Sequence, residues 1–346
     1  MKHLLTLLSI CFLVNSFSLK AQNGGTDTYE FLDLTYSARI AALGGTAIAI
    51  KDNDPNLGLI NPALLNKSMD NQVTLNYINY LSDINYGYSS FTKHYDSIGT
   101  FNVGLKYVSY GEFDERDAGG NKLGTFNAGE YAIVMGYGRE LKHNFSVGAN
   151  FKTIISSLYD YQSFGVAFDF GTTYYLEDKR FTASLVVKNI GAQLTTYTSD
   201  NREPIPFEIQ LGLSKQLENV PLRFSLTAHS LETPDLVYEQ QIKNEGGLLG
   251  DTETDNDQDG VLENMARHTI VGAEFLPSEN FHIRLGYNYQ RRRELLVEEK
   301  TGLVGMSFGF GMRISKFHIS YGHASYHQAG GINTFSVVTR ISDFYN

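Results

Sequence analysis

The sequence has no tryptophan and a single cysteine, and it has no long apolar run after its first 21 residues. With Cys11 as the only thiol, an internal disulfide framework is excluded. Without a run of about 20 apolar residues, a protein that spans the membrane with helices is excluded as well. The net charge of -10, with no broad basic stripe, argues against a nucleic-acid-binding protein.

Residues 1–21 have the three parts of a secretory signal peptide. A basic start at Lys2 precedes an apolar stretch, and Ala21 is a small residue suited to cleavage before Gln22. The alternative is a lipoprotein signal that ends at Cys11. The apolar stretch continues past that cysteine, so we expect cleavage after Ala21 and export of the mature chain.

The rest of the chain is rich in glycine and aromatic residues, with 33 Gly, 22 Tyr and 22 Phe. From Val73 to Ile341 it repeats short runs in which every second residue is apolar. Because side chains alternate across a strand, each run would have one apolar and one polar face. About fourteen strand candidates can be counted in this way. They centre on Val73–Tyr80, Tyr86–Tyr95, Phe101–Tyr110, Phe126–Tyr137, Phe145–Ile155, Tyr161–Tyr174, Phe181–Asn189, Phe207–Ser214, Leu222–Ser230, His268–Phe275, Phe281–Gln290, Leu303–Ile314, Phe317–Tyr326 and Asn333–Ser342.

The connections between these candidates alternate in length. Those after the even-numbered strands are tight, whereas several of the others are long. The long ones are Glu112–Gly124, Ile190–Pro206, Leu231–Arg267 and Arg291–Lys300. Outer-membrane barrels keep short turns in the periplasm and long loops outside. The sequence therefore predicts an all-β protein of the cell outer membrane, a 14-stranded antiparallel barrel over residues 71–346 with both termini in the periplasm.

Residues 22–70 interrupt the alternation. A short helix is expected over residues 37–43, and proline-broken turns follow it. The segment is too short and too rich in small residues to form its own core, so we predict a short N-terminal helical plug inside the barrel. The residues expected to define the plug are Ser37, Arg39, Gly44, Gly45, Asn61 and Pro62.

An acidic stretch in the longest loop is a candidate calcium site. Its possible ligands are Asp255, Asp257, Asp259 and Glu263. Carboxylates at alternate positions before a glycine turn can supply the oxygen ligands that hard cations prefer. The stretch departs from the full helix-loop-helix motif, because Ala266 stands where a bidentate glutamate is expected. A solvated acidic loop without an ion is the alternative, and no cofactor other than this structural calcium is expected.

A run of three cations, Arg291, Arg292 and Arg293, lies in a neighbouring long loop on the same expected outer side. These side chains could contact lipopolysaccharide phosphates, a protein partner or the acidic stretch. The lumen-facing cations expected to line the barrel or contact the plug are Lys106, Lys152, Lys188 and Arg284.

No set of residues indicates catalysis. Residues 305–309 match the pattern of a hydrolase nucleophile elbow, but that elbow needs a strand-to-helix turn, whereas here the strand pattern continues and Ser307 would face the lumen. Three late histidines lack both same-face spacing and further ligands for a metal. These are His318, His323 and His327. We therefore expect a protein without enzymatic activity.

Two stretches resemble the N-terminal signature of the PorV/PorQ family. They are Tyr29–Gly45, which contains Tyr-x-Phe-Leu-x-Leu and Ala-Leu-Gly-Gly, and Asn61–Leu65. That family belongs to the type IX secretion system of Bacteroidetes and shares the fourteen-stranded, FadL-like fold of the long-chain fatty-acid transporter. One departure is Thr35–Ser37, which stands where the family usually has a proline-containing approach.

The resemblance implies a barrel of the attachment complex, surrounded by outer-membrane lipid and holding PorZ-like, PorU-like and PorV-like partners. The loops Leu231–Arg267 and Arg291–Lys300 are where we expect the partner contact. One alternative is a FadL-like transporter of hydrophobic small molecules. A transporter would need apolar patches on its inward face, whereas the assignable inward residues are mainly small, polar or cationic. Another alternative is a soluble β-sandwich protein.

Overall fold

The structure is a computed structural model, and it describes residues 27–80, 84–142, 144–199, 201–236, 257–295, 302–327 and 330–345. Within these residues fourteen strands close into one barrel in which each strand pairs with the next and β14 pairs with β1. All the pairings are antiparallel. The predicted fold class is confirmed, and a β-sandwich is excluded. The expected signal peptide and Cys11 lie outside the described residues.

The strand bounds agree with the alternation pattern to within a few residues at most ends. The strands are β1 (Gln72–Asn79), β2 (Asn85–Tyr95), β3 (Gly99–Arg116), β4 (Lys122–Glu140), β5 (Phe145–Leu158), β6 (Tyr161–Leu176), β7 (Phe181–Thr195), β8 (Glu208–Gln216), β9 (Leu222–Ala228), β10 (Thr269–Ser278), β11 (Phe281–Asn288), β12 (Met306–Ile314), β13 (Phe317–His327) and β14 (Gly330–Arg340).

Two of the expected long loops are strand over part of their length. The segment expected as the loop Glu112–Gly124 is mostly the top of the β3–β4 hairpin, and β7 extends six residues into the segment expected as the loop Ile190–Pro206. The pairing shifts register between Ser109 and Glu112, and the hydrogen-bonded ladder then continues above the shift. Such a bulge changes which residues face inward, so the simple alternation stops while the strand goes on.

The helices are short and lie at one end of the barrel or inside it. They are α1 (Ala38–Ala42), α2 (Leu57–Ile60), α3 (Asp257–Arg267) and α4 (Tyr289–Leu295), with 3-10 turns at Glu30–Asp33, Pro62–Leu64, Lys67–Met69 and Ile341–Phe344. None of the helices in the described part of the chain is long and apolar enough to cross a membrane. Helix α3 lies within the segment expected as the loop Leu231–Arg267, and α4 extends into the segment expected as the loop Arg291–Lys300.

The strands separate two environments, as the alternation predicts. On β3, the outward side chains of Val103 and Leu105 are 54% and 40% exposed, whereas the inward side chains of Asn102 and Lys106 are 3% exposed. The inward residues are covered by the N-terminal segment of the same chain. Because outward apolar residues recur around the barrel, this exposed belt is the surface that lipid covers.

The N-terminal segment fills the barrel as a plug. Helix α1 packs against β11 to β14, and the Pro62–Leu64 turn packs against β4 to β6. Inward glycines allow this close approach: a side chain at Gly286 would overlap the backbone of Leu43 and Gly44, and one at Gly148 would overlap the backbone of Pro62. The plug backbone thus lies directly on the inner wall at these positions.

Candidate functional site

The start and end of helix α1 are fixed by different groups. At its start, the backbone N–H of Ala38 donates to Ser336 Oγ on β14 at 2.9 Å, and the side chain of Ser37 makes no capping hydrogen bond. At its end, Gly44 and Gly45 have φ values of 99° and 110°, and the N–H of Gly45 donates to Ile40 O at 3.0 Å. These left-handed glycines terminate the helix, as the sequence indicated.

Arg39 of α1 reaches the inner wall and binds a buried carboxylate there. Its Nε donates to Glu274 Oε1 on β10 at 2.9 Å, and its NH2 donates to Asp52 Oδ2 in the plug at 2.6 Å. Its NH1 lies 3.4 Å from Asp54 Oδ2. Both Arg39 and Glu274 are buried. Arg39 therefore connects two parts of the plug to one strand of the barrel.

Two wall arginines complete this group. Arg223 NH1 lies 3.0 Å from both Asp52 Oδ2 and Glu274 Oε2, and Arg284 Nε lies 3.0 Å from Glu274 Oε1. We call the six residues the charged anchor: Arg39, Asp52, Asp54, Arg223, Glu274 and Arg284. Three cations face three carboxylates in it, so the buried charge is balanced, as buried ions require.

The electrostatics of the charged anchor keep the carboxylate of Asp52 ionised. Burial alone would raise the pKa of Asp52, but the positive charges of Arg39 and Arg223 outweigh burial and hold that pKa well below its usual range. The same carboxylates raise the pKa of Arg39 further above its usual value. At neutral pH the plug and the wall are therefore joined by ion pairs.

A second contact lies at the Asn61–Pro62 turn. Asn61 is fully buried, and its Nδ2 donates to Ile48 O at 2.8 Å and to Thr173 Oγ1 on β6 at 3.1 Å. Its Oδ1 accepts from the N–H of Ala63 at 3.0 Å, which caps the turn that Pro62 begins. The side-chain amide of Asn61 thus makes hydrogen bonds with both the plug and the wall.

The beginning of the plug is held by apolar contacts. Phe31, Leu32 and Tyr36 are at most 2% exposed. They belong to one cluster with inward wall residues, which are Ile78, Tyr86, Tyr88, Val108, Ala132, Val134, Ile154, Ala167 and Ile332. We call the three plug residues with this wall patch the apolar anchor. The expectation that the inward face is mainly small, polar or cationic was therefore wrong for this part of the wall, where the plug supplies the apolar partner.

The four expected lumenal cations all lie inside the barrel. Lys106 Nζ donates to Leu32 O in the plug at 2.8 Å. Lys188 Nζ lies 2.6 Å from Glu208 and 3.2 Å from Asp33 in the plug. The remaining two pair with wall carboxylates: Lys152 with Asp169 and Arg284 with Glu274. The cations therefore divide between plug contacts and wall contacts.

Two cavities lie on opposite sides of the plug. The turn-end cavity has a volume of about 570 Å³ and is lined by Arg39, Asp54, Arg284, Arg313 and His318 among others. The loop-end cavity has a volume of about 410 Å³. Its lining includes Asp27, Ser37, Lys106, His229 and Arg291. No residue in the described part of the chain lines both cavities, and α1 with Arg39 lies between them.

The acidic stretch of the longest loop differs from the expected ion-binding loop. Asp255 and the side chains of Asp257 and Asp259 lie outside the described residues, and α3 begins at Asp257. Glu263 accepts hydrogen bonds from Arg293 Nε at 2.6 Å and from the hydroxyl of Tyr289 at 2.5 Å. Within the described ranges no three His, Cys, Asp or Glu side chains are grouped to hold a metal ion. Structural calcium stays a prediction.

The three consecutive arginines point to three different contacts. Arg291 NH2 donates to Gly44 O in the plug at 3.3 Å, and its guanidinium lies 4.1 Å from the ring centroid of Tyr326. Arg292 NH1 donates to Val304 O at 3.3 Å, and Arg293 pairs with Glu263. Contact of this run with a partner protein stays a prediction, and the pairing with the acidic stretch is present for Arg293.

Ser307 and two of the late histidines, which we considered for catalysis or metal binding, lie in the barrel wall among neighbouring side chains. Ser307 is 1% exposed on β12 and faces the lumen, where its strand continues past it without a turn into a helix. His323 Nδ1 lies 2.9 Å from Asn333 Oδ1, and the rings of His318 and His282 lie 5.9 Å apart. These arrangements lack the paired nucleophile and base that acyl transfer needs.

Glu274 is the functional candidate that sequence inspection missed. It lies on β10 between outward Val271, Ala273 and Phe275, at a position that faces the lumen together with Gly272. The sequence does contain a signal for this residue. Glu274 is a carboxylate on the inward face of a strand whose other inward residues are apolar or small. Its partner Arg39 is 235 residues away in sequence, so the pairing itself could not be read from spacing.

No family model and no curated relative matches the chain. Among solved structures it is similar to the toluene transporter TbuX of Ralstonia pickettii, with a TM-score of 0.52 at 14% identity over 89% of this chain and 99% of the other. The toluene transporter TodX of Pseudomonas putida has a TM-score of 0.49 at 11% identity, with 88% and 96% covered. A FadL homologue of Pseudomonas aeruginosa has 0.46 at 12%, with 88% and 98% covered. The chain therefore has the fourteen-stranded outer-membrane barrel fold that TbuX represents.

Proposed function

We propose that the protein is a plugged outer-membrane barrel without enzymatic activity that seats surface proteins of a type IX secretion attachment complex. The expected partners are a PorZ-like surface protein together with PorU-like and PorV-like components. The observation that carries this proposal is the double fixation of the plug. The charged anchor and the apolar anchor hold it against different parts of the wall, and α1 separates the two cavities.

A passage through the lumen would have to break this fixation. Pulling Arg39 away would leave Glu274 buried on β10 with a partner removed, and loss of one member of a buried ion pair costs about 3–5 kcal/mol. Pulling Phe31 away would expose both its ring and the wall patch behind it. The two costs add, because the anchors contact different strands. A scaffold whose plug stays in place does not incur these two free-energy costs.

A second candidate is a transporter of hydrophobic small molecules, and two observations favour it. The fold is that of a protein described as a toluene transporter, and this comparison supports transport more directly than it supports a scaffold. The inner wall also carries an apolar patch that includes Ile78, Tyr86 and Val108. If the plug moved, that patch would become an apolar surface inside the barrel.

A covalent tether between plug and wall separates the two functions. Ala38 and Ser336 are in direct contact, and the sequence expected for the mature chain has no cysteine of its own. The double variant Ala38→Cys, Ser336→Cys, oxidised in the membrane, fixes the plug. The single-cysteine variants are the controls, and each should behave like the unaltered protein.

For a scaffold, the oxidised tether leaves surface retention of the secretion-system partners intact, whereas deletion of the whole protein releases them. For a transporter, oxidation abolishes uptake of a hydrophobic compound such as toluene, and reduction restores it. Surface partners that remain fully retained in the deletion strain would remove the scaffold proposal.

A further inference from the structure

The loop-end cavity is of the size that small ligands occupy. Its volume is about 410 Å³, within the usual range of about 300–1,000 Å³ for small-molecule sites. The plug forms one side through residues 27–46, and the wall and loops form the other. Its lining is mostly polar, unlike the apolar anchor beside it.

Three buried polar atoms on this lining have no hydrogen-bond partner in the described structure: Ser37 Oγ, His229 Nε2 and Arg291 NH1. Ser37 and His229 are 3% and 6% exposed. Six side-chain atoms of the described residues are buried without a partner, so half of them line this one cavity. A buried polar group without a partner is unfavourable, and a bound molecule that supplies the missing hydrogen bond removes this cost.

The cavity also has cations that lack a carboxylate partner. Lys106 and Arg291 form no ion pair with any described residue. Each instead lies over a tyrosine ring and donates to a plug carbonyl: Lys106 is 4.7 Å from the ring of Tyr36, and Arg291 is 4.1 Å from the ring of Tyr326. Lys188 of the same cavity is fully paired with Glu208 and Asp33. The guanidinium of Arg291 and the buried amine of Lys106 are thus available to an anionic group.

Unpaired carboxylates line the same space. Asp27, Glu30 and Glu232 form no ion pair within the described part of the chain. Burial, and the nearby charge of Asp33, raise the pKa of Asp27, as expected for a carboxylate that lacks a cation. Besides the paired Lys188, the cavity is therefore lined by basic side chains and by carboxylates that form no ion pair with each other in the described structure.

We infer that the loop-end cavity binds a small zwitterion, a molecule that carries both a carboxylate and an ammonium group, such as an amino acid or a short peptide. Lys106 and Arg291 bind the carboxylate, Asp27 and Glu30 attract the ammonium, and Ser37 and His229 supply further hydrogen bonds. A hydrocarbon would leave all of these groups unsatisfied. This site goes beyond the proposed scaffold, which needs no ligand. Ordered water alone is the competing occupant.

The test uses the full-length protein in detergent and the tripeptide triglycine, with N-acetyl-triglycine and triglycine amide as matched probes that carry one charge each. Titration calorimetry should show saturable binding of triglycine, with each single-charge probe about tenfold weaker, the factor that corresponds to 1.4 kcal/mol. Equal affinities for all three probes would overturn the proposal, because the charges would not be recognised. The absence of saturable binding would overturn it as well and would mean that the cavity holds only water.

Two variants assign the charges. Asp27→Asn removes a carboxylate that has no protein partner, so it should weaken triglycine binding about fivefold to tenfold and leave N-acetyl-triglycine unchanged. Arg291→Gln should weaken triglycine and leave the amide unchanged. Glu279→Gln, in the turn-end cavity, is the control and should change nothing. If Asp27→Asn and Arg291→Gln both bind triglycine like the unaltered protein, the site is disproved, while the scaffold proposal stands.

Discussion

The plug is held by two anchors of opposite chemistry. The apolar anchor packs Phe31, Leu32 and Tyr36 against a broad patch on β1 to β6 and β14. The charged anchor joins Arg39 and Asp52 to Glu274, Arg223 and Arg284 on β9 to β11. The stability that the apolar anchor provides depends on its buried area, so small changes in its side chains are tolerated. The second depends on the presence of each partner, because a buried charge left alone has no solvent to stabilise it.

With these two anchors one segment can be both adaptable and specific in position. Apolar contact is non-directional, so Phe31 and Leu32 could settle in several arrangements against the wall patch. The ion pairs of Arg39 need defined distances to Glu274 and Asp52, which fixes the register of α1. We expect the anchors to differ in their response to mutation, salt and pH.

Removal of Arg39 should have the largest effect. In Arg39→Met the side-chain volume is nearly kept, but Glu274 and Asp52 lose one of the two arginines that they share, Arg223 being the other. The charged anchor is then left with three carboxylates and two cations, and the free energy of unfolding should fall by about 3–5 kcal/mol. Guanidinium unfolding of the detergent-solubilised barrel measures it, with protease cleavage within residues 27–70 as a separate report on the plug. The control is Arg293→Met, which removes an exposed ion pair worth under about 1 kcal/mol. Equal effects of the two variants would contradict a special role for the charged anchor.

Truncation of Phe31 should have the next largest effect. Phe31→Ala removes a ring that is 1% exposed and leaves a cavity at the wall patch, so the free energy of unfolding should fall by about 3 kcal/mol. Unlike the effect of Arg39→Met, this loss should be the same in low and high salt, since no charge is involved. Leu75→Ala, at an outward position that is 57% exposed, is the matched control in detergent. A strong salt dependence for Phe31→Ala would break the distinction between the anchors.

Acidification should weaken the charged anchor alone, by a smaller amount. The pKa of Asp52 is lower in the folded protein than in the unfolded chain, so its contribution is complete above about pH 4 and is lost as the pH falls below that value. The loss should be of the order of 2 kcal/mol, the size expected for one shifted carboxylate. Protease cleavage of the plug between pH 7 and pH 3 measures it. The variant Asp52→Asn should be less stable at pH 7 and should lose most of this pH dependence, and an unchanged pH profile would contradict the assignment.

The strands were predictable because lipid and lumen impose a two-residue period, and every strand of the barrel follows it over most of its length. The top of the β3–β4 hairpin was missed because the register shift after Ser109 exchanges the two faces where lipid no longer enforces the period. The close approach at Gly148 was missed for another reason. An inward glycine in a strand has the same sequence signature whether it faces water or the plug backbone.

The position of the plug in the sequence could be predicted, whereas most of its contacts with the barrel wall could not. The break in the alternation and the glycines after α1 located it, and Arg39 was identified as one of its defining residues. Glu274 and Arg223 could not be assigned to it, because contacts across more than 150 residues depend on how the closed barrel brings β9 and β10 to α1. Topology, rather than local sequence, sets these contacts.

The unequal strand lengths have a consequence for the surrounding lipid. Strands β3 to β7 have 14–19 residues, whereas β9 has seven. Seven residues extend about 23 Å along the strand, and about 18 Å along the membrane normal at the usual tilt, which is less than the apolar band of about 25 Å in such barrels. Lipid that shortens beside β9 would match it, whereas lipid beside β4 has no such need. We therefore expect the bilayer to be thinner beside the strand that carries Arg223 than on the side of the longer strands.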